Sequence, residues 1–296
     1  MPKTALVTGA STGIGQATGL RLTAAGWTVH AGVRAEADGQ TLLELAHGIQ
    51  GPGAAAPTGD LIPVLLDVTE TASIERAIER VGTRTGKSGL DLLVNNAGVV
   101  VGGPLEHLAT DEWRRAFDVN FFGVVEVTRL ALPLMRLAAS PRIVMVGSIN
   151  SRVGVALLGP YVATKHALAG AVACLRRELA PDGPIVSLVE PGAVQTPLWG
   201  KAEAEIERVE AMLDEDGRRR YVRFIDAQKQ ALKDGHAQGV DADDVATLIE
   251  HIATCSRPRA RYLVGRDAQA AGWAQRVLPD RAMEWLAARL TDRAVR

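Results

Sequence analysis

The chain begins with a short β-branched and apolar run, Thr4–Thr8. It breaks into Thr8-Gly9-Ala10-Ser11-Thr12-Gly13-Ile14-Gly15 and continues as a helical pattern over Gly13–Ala25. Few folds accept that order. A buried strand must turn at once into a helix, and three residues of the junction lack a Cβ. Gly9 permits the turn, Gly13 lets backbone approach an anion, and Gly15 allows close helix packing. The helix N-terminus directs its unpaired N–H groups at the same point. A segment of this kind, after a strand and before a helix, predicts a cradle for the pyrophosphate of a dinucleotide.

The rest of the chain repeats the rhythm. Strands are predicted over Thr28–Val33, Leu61–Leu66, Leu90–Val94, Arg142–Val146, Ile185–Val189 and Arg261–Val264. Between them lie a capped helix beginning near Thr69 or Ser73, a long helix over Asp111–Leu137, and helices over Pro160–Ala180, Ala242–Thr254 and Met283–Leu290. Alternation of this kind predicts βαβ units with right-handed crossovers. The expected fold is α/β, a doubly wound parallel sheet of the Rossmann kind, in a single domain over residues 1–296. Gly48–Gly59, rich in Gly, Ala and Pro, reads as a loop. Trp199–Gln238 is polar and helical and interrupts the rhythm.

At 296 residues the chain can bury a full core without metal or disulfide staples. Lys and Arg number 33 against 34 Asp and Glu, a net charge of −1, which argues against a nucleic-acid binder or a polybasic membrane anchor. Two cysteines, Cys174 and Cys255, do not make a disulfide framework and suit a reducing compartment. No apolar run approaches the roughly 18 residues of a membrane span. The apolar stretch at the N-terminus is too short for a signal peptide, so the expected location is the cytoplasm. The six histidines show no metal-ligand spacing, and no metal is expected.

Five further motifs point the same way. Asn95-Asn96-Ala97-Gly98 follows the fourth strand, and Asn120 lies within the long helix. Ser148 ends the fifth strand, thirteen positions before Tyr161. Tyr161-Val-Ala-Thr-Lys165 and Pro191-Gly192-Ala-Val194-Gln-Thr196 complete the set. Together with the glycine turn, these residues resemble the classical short-chain dehydrogenases/reductases, in register over roughly residues 3–200. The wider sequence, including Val29-His30-Ala31-Gly32-Val33-Arg34 and Val189-Glu190-Pro191-Gly192, is similar to the retinol and 17β-hydroxysteroid dehydrogenase branch.

The residues also make chemical sense by themselves. Tyr161 and Lys165 are four apart and share one helix face. A phenol with a pKa of about 10 is a poor base at neutral pH, and a nearby ammonium is expected to lower that value. Ser148 can hydrogen-bond the substrate oxygen where charge develops, while Tyr161 gives or takes the hydroxyl proton. The resemblance adds that Lys165 holds the nicotinamide ribose and that Asn120 links Lys165 to a proton-relay water. It further implies cofactor contacts from Gly9, Ser11, Thr12, Gly13, Ile14, Gly15, Asp67, Val68, Asn95, Ala97, Gly98, Tyr161, Lys165, Pro191, Gly192, Val194 and Thr196. Asp67 falls where the family contacts the adenine amino group.

Val33 stands where relatives that prefer NAD carry Asp, and Arg34 follows it. A planar guanidinium suits a 2′-phosphate, so NADP(H) is expected over NAD(H). Apolar residues near the chemistry (Val99–Val101, Val153, Val155, Leu157 and Leu158) predict a lipophilic alcohol, ketone or aldehyde as substrate. Trp199–Gln238 is expected to be a lid over that substrate. Leu198, Trp199, Ile206, Val209, Met212 and Leu213 supply its apolar face, and Glu203, Glu205, Glu207, Arg208 and Arg218–Arg220 a face toward water. Phe121, Phe122, Val125, Leu130 and Leu134, with Leu168, Val172 and Leu175, exceed one sheet-facing stripe and predict a homodimer or homotetramer. The competing reading is a dinucleotide-binding sensor without chemistry. The intact set Ser148, Tyr161 and Lys165 speaks against it, because a sensor has no need of proton transfer.

Overall fold

The computed structural model describes residues 2–48, 59–180, 182–196 and 198–293. The predicted loop thus lies almost wholly outside the described residues.

Seven strands form one parallel sheet: β1 (Thr4–Val7), β2 (Thr28–Val33), β3 (Leu61–Leu65), β4 (Leu92–Asn95), β5 (Arg142–Val146), β6 (Ile185–Pro191) and β9 (Arg261–Val264). Their order is β3-β2-β1-β4-β5-β6-β9, with a two-residue pair, β7 (Val194–Gln195) and β8 (Val240–Asp241), beside it. The winding reverses between β1 and β4. Such a switch point leaves a crevice at the carboxyl ends of the strands, where ligands bind in open α/β sheets. The glycine turn and Asn95–Gly98 both start there.

Alternation along each strand decides which layer a side chain joins. Leu92 and Val94 of β4 join one core with Val7, Val29, Val144 and Val189. Helices α1 (Gly13–Ala24), α2 (Glu36–Gly48) and α9 (Ala242–Thr254) cover it through Leu22, Leu42, Val245 and Ile249. Leu93 turns to the other core, with Leu6, Val64, Ile143 and Leu188. That side is covered by α3 (Thr71–Thr85), α5 (Gly123–Met135) and α6 (Gly159–Leu179). A third, small cluster of Val209, Leu213 and Ile225 joins α7 (Leu198–Met212) to α8 (Glu215–Gln238), with Leu157 packed against it. Helices α10 (Arg266–Val277) and α11 (Asp280–Arg293) close the chain, α11 against α8.

Three expectations change. The helix predicted over 111–137 is α4 (Thr110–Phe117), a wide π turn over Asp118–Phe122, and α5. The Gly123 N–H reaches back to the Asp118 carbonyl, so one extra residue is accommodated at Asn120. The helix after β3 starts at Thr71, and its N-cap Glu70 makes no side-chain capping bond. Thr69 and Ser73 do not cap it because both hold Asp67: the Thr69 hydroxyl donates to Asp67 Oδ1 at 2.7 Å, and the Asp67 N–H donates to Ser73 Oγ at 3.0 Å. The apolar surplus also shrinks. Leu168 and Val172 are buried in the chain's own core, and Leu130, Leu134 and Leu175 pack against it. Phe122 and Val125 remain exposed.

Candidate active site

Gly9 and Gly13 have φ of +63° and +58°, in the left-handed region where a side chain is strained. Closeness adds to conformation. A Cβ on Gly9 would lie 2.9 Å from the Ala97 Cα, and one on Gly13 3.0 Å from Thr196 Cγ2. One on Gly15 would lie 2.2 Å from the Gly9 carbonyl oxygen. The turn, the Asn-Asn-Ala-Gly segment and Thr196 therefore meet at one point. Thr12 is the N-cap of α1 and makes no side-chain capping bond, Ser11 is half-buried, and Ile14 packs into the core below.

Asn96, absent from the sequence-derived set, ties this junction together. Its Nδ2 donates to the carbonyls of Thr8 and Gly9, each at 3.0 Å. The Thr8 hydroxyl accepts from the N–H groups of Asn96 and Ala97, at 2.9 and 3.0 Å. Its neighbour Asn95 faces the opposite way. Asn95 Nδ2 bonds Thr128 Oγ1 at 2.9 Å and Met145 Sδ, inside the core. The Val68 side chain is likewise buried in the core, against Gly123. Neither side chain faces the cleft, so what Asn95 and Val68 can offer a cofactor is backbone.

At the ends of β2 and β3, Arg34 is exposed and Asp67 half-buried. Burial pushes the Asp67 carboxyl up, but bonds from the Thr69 hydroxyl and N–H, with the charge of Arg34, hold it below the ordinary carboxylate range. On the far side of the crevice Pro191 is buried and the Gly192 N–H donates to the Val264 carbonyl at 2.9 Å. Asp267, also missed from sequence, accepts the Ala193 N–H at 2.8 Å and fills the space where a Gly192 side chain would stand. Val194 pairs in β7 with Val240.

Ser148, Tyr161 and Lys165 converge. Ser148 ends the strand β5 region as the N-cap of a short turn, its Oγ accepting the Asn150 N–H at 3.1 Å. It shares a hydrogen bond with the Tyr161 phenol. Lys165 Nζ lies 5.6 Å from the centre of the Tyr161 ring and donates to the Val146 carbonyl at 3.0 Å. The titration behaviour differs from the expectation. Burial pushes the phenol above its ordinary value, and the Ser148 bond offsets this only partly. Lys165, buried, is itself pushed down to about 8. Its ammonium is engaged with a backbone carbonyl, so desolvation dominates the phenol.

Asn120 is buried in the π turn. Its Oδ1 accepts the Val99 N–H at 2.8 Å, and its Nδ2 donates to the Val99 carbonyl at 2.9 Å and to Thr164 Oγ1 at 3.1 Å. A Cβ on Gly98 would lie 3.2 Å from Asn120 Oδ1 and 4.0 Å from Lys165 Nζ. The Asn120 side chain thus fixes the loop after Gly98 beside Lys165. Among the described residues there is no group of three or more His, Cys, Asp or Glu able to hold a metal, and no helix long and apolar enough to cross a membrane.

A family model described as short chain dehydrogenase matches residues 3–207. The chain belongs to that family. Uncharacterized oxidoreductase YusZ of Bacillus subtilis is 36% identical over 266 residues, 89% of each chain. NADPH-dependent 3-dehydrocapnine reductase of Ornithobacterium rhinotracheale is 32% identical over 286 residues, 95% of this chain and 94% of the relative. Retinol dehydrogenase 5 of Mus musculus is 31% identical over 284 residues, 94% and 85%. Among solved structures, a short chain dehydrogenase/reductase from Burkholderia phymatum in complex with NAD matches with a TM-score of 0.73 and 27% identity, covering 91% of both chains. This short-chain dehydrogenase is therefore an NAD(P)-binding oxidoreductase of the alcohol–carbonyl type, built on the doubly wound fold that its sequence predicts.

Proposed function

We propose that the chain interconverts a lipophilic alcohol and its ketone or aldehyde with NADP(H), with Tyr161 as general acid/base. The convergence of Ser148, Tyr161 and Lys165 carries this reading. The glycine cradle fits a pyrophosphate, because a Cβ at Gly15 would collide with the turn itself. Gly9, Ser11, Thr12, Gly13, Ile14 and Gly15 would hold the diphosphate. Arg34, Asp67 and the Val68 backbone would hold the adenosine end. The Asn95 backbone, Ala97, Gly98, Tyr161, Lys165, Pro191, Gly192, Val194 and Thr196 would hold the nicotinamide end. When bound, the nicotinamide supplies or accepts the hydride.

The chain's own residues do the rest. Ser148 donates to the substrate oxygen and orients it. Tyr161 holds the proton that this oxygen gains on reduction, and burial keeps the phenol protonated at neutral pH. A protonated phenol is an acid in waiting, which suits the reductive direction. Lys165, protonated below about pH 8, compensates charge left on the phenol after transfer. Asn120 keeps the Val99 loop fixed beside it.

Exposed Arg34 beside Asp67 supports NADP(H), since no carboxylate stands at Val33 to repel a 2′-phosphate. The relative named as an NADPH-dependent reductase and the relative named as a retinol dehydrogenase support NADP(H) and a lipophilic substrate in turn. Residues 199–238, carried by helices α7 and α8, act as the lid over the substrate, with Ile206, Val209, Met212 and Leu213 in one apolar cluster with Leu157. The side chains of Leu198 and Trp199 lie outside the described residues.

Hydride transfer measured at 340 nm with NADPH and NADH, against a panel of lipophilic ketones, aldehydes and alcohols, tests the reading. Tyr161→Phe should lower turnover about 10²–10⁴-fold while leaving cofactor affinity intact. Turnover close to wild type in that variant would refute the assigned role.

A further inference from the structure

The lid face expected to meet water does not do so uniformly. Glu203 and Glu207 are exposed, but Glu205 and Arg208, one turn apart on α7, face the body of the protein. Glu205 Oε1 accepts the Gly102 N–H at 2.9 Å, and Arg208 Nη2 donates to the Gly102 carbonyl at 3.1 Å. The two side chains are joined by bonds of 2.8 and 2.9 Å, and only 14% of Glu205 is exposed. Together they meet one residue's N–H and C=O as a neighbouring strand would. Glu112 of α4 lies 3.9 Å from the same guanidinium. Burial pushes the Glu205 carboxyl up, yet the Arg208 and Gly102 bonds outweigh it and keep it below the ordinary carboxylate range.

The residue they grip is placed where it matters. Gly102 follows the loop fixed by Asn120, four residues beyond Gly98. A Cβ on Gly102 would lie 2.7 Å from the Leu157 carbonyl oxygen, so the segment between Ser148 and Tyr161 presses on it directly. Gly103 N–H donates to that same carbonyl at 2.6 Å. Leu157 is the one residue other than glycine, among the described residues, with positive φ, at +65°. Such a conformation persists only where surroundings over-determine it. Its side chain packs on the apolar cluster of the lid. Three walls thus meet at Gly102–Gly103: the loop after Gly98, the segment before Tyr161, and α7.

We propose that Glu205 and Arg208 are positioning residues for the substrate, clamping α7 onto the Gly102 backbone and so setting the width of the cavity that receives the apolar part of the substrate. The inference rests on the reading of this crevice as a carbonyl-reducing site. Breaking the clamp leaves Tyr161, Ser148, Lys165 and the glycine cradle in place, so it weakens substrate binding rather than chemistry or cofactor binding. Discrimination between bulky and small carbonyls falls with it.

The test uses Glu205→Ala, Arg208→Ala, the conservative Glu205→Gln and Arg208→Lys, and the double alanine variant. Hydrogen exchange by mass spectrometry on the enzyme without substrate reads the clamp directly. Exchange over residues 99–104 should accelerate about tenfold in each alanine variant, the factor expected for loss of one charged hydrogen bond, and Glu205→Gln should recover part of it. With a carbonyl turned over by the wild type, KM should rise about tenfold while kcat and NADPH affinity stay within about twofold. The double variant should be no worse than either single one, because the two residues act as a unit. Unchanged exchange over 99–104 would overturn the clamp, and faster exchange with KM unmoved would overturn its role in setting the substrate cavity. If the wild type reduced no carbonyl, the reading of the site would fail, and the exchange result alone would decide whether Glu205 and Arg208 clamp Gly102.

Discussion

Replacing Glu190 by Gln tests how far the site depends on one buried charge. Glu190 ends the β6 core just before Pro191-Gly192, and its side chain is 0% exposed. Arg152 donates to it through Nε at 3.1 Å and Nη2 at 2.8 Å, and Arg261 through Nε at 2.8 Å and through Nη2. Arg152 follows the turn that begins at Ser148, and its carbonyl is held by Gln275 of α10 at 2.8 Å. The carboxylate thus ties the segment after Ser148, the Pro-Gly turn and β9 together. Removing it leaves the Arg152 guanidinium, 10% exposed, without a counter-charge. Breaking a buried pair costs about 3–5 kcal/mol, and the lower end applies because Arg261 is 38% exposed and water can solvate it. Unfolding entropy of about 2.1 cal/mol/K per residue gives about 0.6 kcal/mol/K for 296 residues. Glu190→Gln should therefore lower Tm by about 5 °C, with a matching loss of carbonyl turnover. Thermal unfolding followed by circular dichroism measures this. A Tm within about 1 °C of wild type, or a loss erased by about 1 M salt as for a surface pair, would refute the argument.

Arg34→Ala should weaken NADPH binding about tenfold more than NADH binding, read by quenching of intrinsic fluorescence, and equal losses would count against the 2′-phosphate assignment. His30 is fully buried with neither ring nitrogen bonded among the described residues, and burial, then Arg84 and Arg80, push its pKa from 6.5 to about 4. The unfolded chain thus takes up this proton first as pH falls, so stability should drop by about 3 kcal/mol between pH 6.5 and 4. Urea titrations across that range should show the drop in wild type and lose it in His30→Leu. Phe122 and Val125 are exposed beside Phe117 and Phe121, so sedimentation at micromolar concentration should show a homodimer or homotetramer, and a monomer would count against it.

The features legible in the sequence are the ones whose cause is local. The glycine turn needs residues without a Cβ within a few positions, and Tyr161 and Lys165 share a helix face by spacing alone. The break in the helix over 111–137 has no such signature. Its extra residue, Asn120, is held by the backbone of Val99 and the hydroxyl of Thr164, both distant in sequence. Asn95 and Asn96 show the same limit at shorter range. They look alike in the sequence, yet the end of β4 sends one into the core and the other to the glycine turn.

The stretch around helix α7 marks the clearest boundary. Its apolar face was readable because Ile206, Val209, Met212 and Leu213 recur at helical spacing. Its charged residues were not separable into solvated and docked ones. Glu203, Glu205, Glu207 and Arg208 have equal claim on water until their partners are known, and Glu205 and Arg208 find theirs in the backbone of a glycine about a hundred residues earlier. A glycine's peptide group leaves no trace in its side chain, so a charge that docks on backbone is indistinguishable in sequence from one that faces solvent. Specificity built from such contacts can change between relatives while Tyr161, Lys165 and the glycine turn stay as they are. The resemblance that identifies the family therefore says least about the wall proposed here to select the substrate.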